Sequence, residues 1–168
     1  MVNLSLTEPK SIQIKMILLF IVLTHLVHAQ DLIELQNPRA SSEGHDDVGF
    51  ASSPLSRYPK FFADWPGTCY HSDTNANNNI WQAEFKDGLM KIDSIAIFSR
   101  RDCCYYRIDG VEVYVDDQLC GVLSSVRGGN WSKVKCNGAV GKKITLDSGI
   151  EENGGSDMGT LNFCGIRV

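Results

Sequence analysis

Apolar and polar positions alternate along the second half of the chain with the period of two that marks a strand with one wet face. The pattern is plainest where Val111, Val113 and Val115 interleave with Glu112, Tyr114 and Asp116. The same criterion, with β-branched and aromatic enrichment, predicts strands over Ile80–Phe85, Ile92–Phe98, Val111–Val115, Gln118–Leu123, Trp131–Cys136, Lys143–Leu146 and Leu161–Val168. Turn signals fall between them at Asp87-Gly88, Asp109-Gly110, Gly128-Gly129 and Asn153-Gly154-Gly155. No stretch beyond residue 30 sustains a helical period. Strands of this length and spacing predict an all-β sandwich or barrel.

The first third reads differently. Lys10 and Lys15 precede an apolar run from Met16 to Val27 that ends in Val27-His28-Ala29. At roughly 12 residues the run is short of the ~20 that span a bilayer, and its basic front and small-residue end are those of a secretory signal peptide. Residues 1–29 are therefore expected to be removed, leaving Gln30 as the first residue, with Met16 an alternative start. From Gln30 to Thr68 the chain is irregular, broken by Ser52-Ser53-Pro54 and Tyr58-Pro59. A loop-rich segment with at most one short strand is expected there.

Loss of the leader takes away Lys10, Lys15 and Glu8 and turns the net charge of −4 into −5. An acidic chain argues against nucleic acid or an anionic membrane as partner. All six cysteines, Cys69, Cys103, Cys104, Cys120, Cys136 and Cys164, lie beyond the leader. An even count in a secreted chain points to disulfides, and with no CxxC pair and only His45 and His71 left, zinc is disfavoured.

The densest chemistry lies in Arg100-Arg101-Asp102-Cys103-Cys104-Tyr105-Tyr106-Arg107. Adjacent cysteines sit closer than ordinary disulfide partners, so either they form a strained vicinal bond or each pairs with a distant cysteine; spacing leaves both open. Arg100 and Arg107 each offer a planar fork of donors suited to sugar oxygens, and Asp102 can orient a guanidinium. A solvated loop with an Arg–Asp surface pair would carry the same residues.

Taken together these residues resemble the F-type lectin family of fucose-binding lectins. The signature is a histidine, a long interval, then Arg-x-Asp, four residues, and Arg or Lys. Here His71 stands in Cys69-Tyr70-His71-Ser72, 28 residues separate it from Arg100, and Arg100-x-Asp102 is followed after four residues by Arg107. The interval is slightly long, and Asn75–Asn79 is where an insertion would fall; Ile80-Trp81 stands where the family has two tryptophans. The resemblance runs from about Ala40 to Val168, which makes residues 30–39 an N-terminal extension and 40–168 the lectin domain.

The resemblance implies a jelly-roll-like β-sandwich, stapled by disulfides and related to discoidin domains, with binding loops at one end. It implies the pairs Cys69–Cys164, Cys103–Cys104 and Cys120–Cys136. It also implies a carbohydrate site made of His71, Arg100, Asp102 and Arg107 beside a Cys103–Cys104 platform, with Trp65 as a candidate contact to the fucose methyl group. Trp65 could equally be a core residue. Such a family commonly holds Ca²⁺, for which Asp64 and the carbonyl of Thr68 are candidate ligands. Arg57 and Lys60 stand close to them and Gly165 replaces the acidic residue expected after the last cysteine, so weak or absent calcium binding is expected.

The reading is thus a secreted, non-enzymatic lectin for fucosylated glycans, self-associating for avidity and serving innate recognition or cell-surface binding. The Asn130-Trp131-Ser132 sequon adds a candidate glycosylation site at Asn130. A discoidin-like adhesion or lipid-binding module is the alternative and would use Phe61, Phe62 and Trp65 as membrane-facing side chains. For an enzyme there is no nucleophile motif, His/Asp pair or metal-ligand cluster in the sequence.

Overall fold

The structure, a computed structural model, describes residues 32–42, 51–55, 69–73, 78–149 and 159–168. Among the described residues ten strands run in the order β1 (Leu35–Ala40), β2 (Tyr70–His71), β3 (Ile80–Phe85), β4 (Met90–Phe98), β5 (Glu112–Val115), β6 (Gln118–Val122), β7 (Trp131–Gly141), β8 (Lys143–Asp147), β9 (Asn162–Phe163) and β10 (Gly165–Arg167). They pair antiparallel into a five-stranded sheet ordered β1-β3-β8-β5-β6, a three-stranded sheet ordered β10-β4-β7, and the short β2–β9 pair. The described part is an all-β sandwich, and no described helix is long and apolar enough to cross a membrane.

The alternation read from the sequence is what builds the core. Trp81, Ala83 and Phe85 of β3, Val113 and Val115 of β5, and Ile144 and Leu146 of β8 bury one face of the large sheet. Ile92, Ile95 and Ile97 of β4 and Val134, Cys136 and Ala139 of β7 join the same cluster from the small sheet. The step from Ile92 to Ile95 breaks the period of two at the place where the β4–β7 register shifts, between Ile92 and Ser94. A bulge there keeps all three isoleucines inward. Each fully buried side chain of this size contributes roughly 1.5–3 kcal/mol. Trp81, wholly buried, meets Phe163 edge-to-face at 5.2 Å and donates its indole N–H to the Ala51 carbonyl at 2.8 Å, so its polar edge is satisfied inside the core.

Two strand bounds change, and a further strand appears near the start of the described part. β1, which belongs to the large sheet, lies across residue 40, where the lectin-like stretch was expected to begin, and the compact unit spans Ile33–Val168. Within β1 Asn37 adopts φ 49 and the register shifts between Gln36 and Arg39. Proline is tolerated because β1 is an edge strand. The strand predicted to end at Cys136 continues through Asn137-Gly138, both at positive φ, to Gly141. Leu161–Val168 is two strands in different sheets, parted at Cys164.

The disulfides join Cys69 to Cys164, Cys103 to Cys104 and Cys120 to Cys136. Cys120–Cys136 ties β6, an edge of the large sheet, to β7 of the small one. Cys69–Cys164 lies with Phe98 in a second buried cluster, beside Trp131, which carries the Arg167 guanidinium 4.4 Å above its ring.

Candidate functional site

The end of β4 and the β2–β9 pair bring the chemistry-bearing residues to one end of the sandwich. Tyr70 pairs with Phe163 and His71 with Asn162, so alternate side chains point to opposite faces. Tyr70 and Phe163 go to the core, where their rings lie 5.7 Å apart. His71 and Asn162 take the other face, and both are buried. The Cys69–Cys164 bond and the Cys164 N–H donated to the Phe98 carbonyl at 2.8 Å fix this pair against the end of β4, from which Ser99 and Arg100 emerge.

Arg100 is only 7% exposed although it is cationic. Its Nε and Nη2 donate to the two carboxylate oxygens of Asp102, each at 2.7 Å. This fork-to-fork pairing uses two of the five guanidinium N–H groups and holds its plane in one orientation. The guanidinium of Arg100 in turn holds the Asp102 carboxyl below its ordinary value of 3.8.

Behind Arg100 the backbone is clasped by the loop preceding β7. Ser99 donates its N–H to the Asn130 carbonyl at 3.0 Å and receives the Gly129 N–H at its own carbonyl at 3.3 Å. A Cβ on Gly128 would come within 2.7 Å of the Arg100 carbonyl oxygen and 2.9 Å of that of Arg101, so only glycine permits this approach.

Asp102 leads into the vicinal disulfide and then a single 3-10 turn, Tyr105–Ile108. Cys104 caps that turn in the left-handed region, φ 58 and ψ 24, a conformation that costs a non-glycine residue of order 1–3 kcal/mol and is found preferentially at functional sites. Ile108 anchors the turn in the core, and the turn packs on β9. Arg107 is thereby brought to His71: its Nη1 donates to His71 Nε2 at 2.7 Å. The other ring nitrogen, Nδ1, lies 2.6 Å from the Ser72 carbonyl and so carries the proton. Since a guanidinium only donates, these two bonds together define a neutral imidazole of the Nδ1–H tautomer.

His71 and Arg107 are therefore in direct contact, Arg100 and Asp102 form a fixed pair, and Cys103–Cys104 joins the two pairs along the chain. Trp65, Asp64, Thr68, Arg57 and Lys60 lie outside the described residues, as do residues 1–29. Among the described residues no group of three or more His, Cys, Asp or Glu is placed to hold a metal. The residue after the last cysteine is Gly165, which pairs with Phe98 and brings no carboxylate to an ion. Asn130 is exposed at the start of β7, while Ser132 of the sequon is buried and donates to the Ser124 carbonyl at 2.8 Å.

Two supporting residues were not singled out from the sequence. Gly128 passed as an ordinary turn glycine. Asn162 is wholly buried beside His71, and neither its amide oxygen nor its nitrogen has a protein partner. Groups of that kind are satisfied by ordered water or by a ligand, because leaving them bare costs about 1–3 kcal/mol each. The polar–apolar alternation Thr160-Leu161-Asn162-Phe163 was the available signal, since it places Asn162 on the face opposite the core.

An antiparallel β-sandwich whose one end gathers two arginines, a histidine and a vicinal disulfide has the fold of the F-type lectins and related sugar-binding modules, and the chain resembles that family. It is 29% identical over 90 residues to fucolectin-1 of Anguilla japonica, a match covering 48% of this chain and 49% of that one. It superposes with a TM-score of 0.62 on the F-lectin from serum of the striped bass, Morone saxatilis, at 20% identity, over 77% of this chain and 44% of that chain. It also superposes with a TM-score of 0.62 on the lectin domain of lectinolysin complexed with Lewis b antigen, at 13% identity, over 79% and 90% of the two chains. The chain thus spans about half the length of the eel protein it matches. No protein-family model matches it.

Proposed function

We propose that the protein is a secreted lectin that binds fucose-containing glycans and performs no catalysis. One observation carries the reading: Arg107 is locked to a neutral His71, in the same short segment in which a buried Arg100 is held in a fork by Asp102. A ring sugar demands directional donors in fixed places more than it demands net charge, and guanidinium groups held by second partners lose little further entropy on binding. The vicinal disulfide supplies a compact, soft, apolar platform against which a sugar face can rest. The similarity to fucolectin-1 and to a domain solved with Lewis b antigen supports fucose as the recognised sugar.

The leader expected at residues 1–29 and the disulfides, which persist in oxidising compartments, support secretion. Carbohydrate sites of this shallow kind bind weakly one at a time, so self-association supplies the avidity needed for a role in recognising cell or microbial surfaces. Calcium binding is weak or absent in this reading, and Asn130 carries an N-linked glycan. A glycan array probed with the mature, disulfide-bonded protein tests the proposal. Signals confined to fucosylated glycans and erased by free L-fucose are expected; an array on which fucosylated and non-fucosylated glycans score alike would refute it.

A further inference from the structure

The segment that carries β9 has one face in the core and a second, polar face that is also closed to solvent. Leu161 and Phe163 belong to the core, whereas Thr160 and Asn162, which alternate with them, are only 2% and 0% exposed. Asn162 is the register partner of His71, so its side chain shares a face with the imidazole.

Neighbouring buried polar groups are well bonded. Asn79, as deeply buried as Asn162, donates its amide N–H groups to the Gly159 carbonyl at 2.7 Å and the Asp73 carbonyl at 3.3 Å, and its oxygen accepts from the Ser42 hydroxyl. The Ser72 hydroxyl accepts the Leu161 N–H at 2.9 Å. By contrast, the Asn162 amide oxygen and nitrogen and the Thr160 hydroxyl have no hydrogen-bond partner among the described residues. His71 cannot serve them, because its Nδ1 proton goes to the Ser72 carbonyl and its Nε2 is taken by Arg107.

Folded proteins rarely leave such groups bare, since each has given up water without replacement. Whatever satisfies them must be small, must both donate and accept, and must be enclosed, because these atoms have no surface open to an arriving sugar. Water meets all three demands: an amide offers donors and an acceptor, a hydroxyl offers both, and an internal water typically bonds to about three such groups. We propose that Asn162 and Thr160 hold an internal water beside His71, and that Asn162 is thereby a positioning residue of the sugar site. The second half rests on the fucose reading above. Bonded amide and water fill the polar face of the β2–β9 pair, and this filling keeps the His71 ring in the Nδ1–H form, turned toward Arg107.

Nuclear magnetic resonance of the mature, isotope-labelled protein, with calorimetric titration of L-fucose, tests both halves. In the wild type the Asn162 amide hydrogens should cross-relax with a long-lived water, and the His71 ring nitrogens should report the Nδ1–H tautomer. Asn162→Leu, which keeps the branched shape but cannot hydrogen-bond, should stay folded and lose the water signal. Its His71 nitrogens should move toward a mixture of tautomers, and its affinity for L-fucose should fall about fivefold. Asn162→Ser, which keeps a hydroxyl and leaves room for water, should retain the signal and bind within about twofold of the wild type. A wild type without a long-lived water at Asn162 overturns the water site. A leucine variant with wild-type His71 signals and fucose affinity, or a serine variant that keeps the water and loses the tautomer, overturns the positioning role. If the wild type binds no L-fucose the fucose reading fails, while the water and His71 signals still decide the rest.

Discussion

Two corners of the molecule are closed by the same kind of bond and use it differently. At the β6–β7 corner Cys120–Cys136 staples one sheet to the other, next to a core of alternating valines and isoleucines. At the site corner Cys103–Cys104 closes nothing: its partners already share a peptide bond, Cys104 is forced into the left-handed region, and the surrounding side chains are arginines, a carboxylate and exposed tyrosines. The first corner obeys the usual rules of a sandwich. The second breaks several of them at once, and the concentration of exceptions in eight residues is what supports the proposal that it serves recognition.

Removing the bonds one at a time separates the two uses. Loss of Cys69–Cys164, which spans a sequence separation of 95, is expected to cost nearly 5 kcal/mol by loop-closure entropy, and loss of Cys120–Cys136, at a separation of 16, about 3 kcal/mol. Paired Cys→Ser variants followed by urea titration measure both. Cys103→Ser/Cys104→Ser should leave the urea midpoint almost unmoved yet weaken fucose binding about tenfold. Equal losses of stability for all three pairs would erase the contrast between the corners.

How much of this was legible beforehand also divides along the same line. Strand interiors were readable because burial on one face enforces a period of two, and Ile80–Phe85 falls where the alternation put it. The misses occur where a local signal competes with a tertiary one. The short strand allowed for residues 30–68 could not be located, because Pro38 sits inside it at an edge position that needs no N–H there. The alternation stops at Cys136, yet Asn137 and Gly138 continue β7 at positive φ. Nothing at Cys164 announces a change of sheet, because Phe163, Cys164 and Gly165 are all buried and no polar residue interrupts them. At the site, Arg100, Asp102 and Arg107 stood out by chemistry and spacing. Gly128 could not, since its role depends on which backbone lies opposite, and Asn162 was marked only by the alternation around it.

A smaller effect sharpens the electrostatic half of the contrast. Because the Arg100 guanidinium lowers the Asp102 carboxyl in the folded protein, the pair stabilises the site fully above the ordinary carboxylate value of 3.8 and fades as pH falls through the lowered folded value. Fucose affinity should therefore be insensitive to Asp102 from neutrality down past that ordinary value, and drop only as pH falls through the lowered folded value. Asp102→Asn, which keeps one acceptor and loses the charge, should weaken binding a few-fold at neutral pH and remove that acid limb; affinity that matches the wild type at both ends would show that Asp102 does not orient Arg100.

The central claim is that the His71–Arg107 and Arg100–Asp102 pairs together hold a fucose. Calorimetric titration of L-fucose into the wild type, Arg100→Ala, Arg107→Ala and His71→Ala, with melting temperatures recorded for each, tests it most directly. Each arginine variant loses charge-assisted hydrogen bonds of roughly 1.5–3 kcal/mol apiece and should bind at least a hundredfold more weakly, with His71→Ala intermediate and all three still cooperatively folded. Folded arginine variants that bind L-fucose as the wild type does would contradict the account.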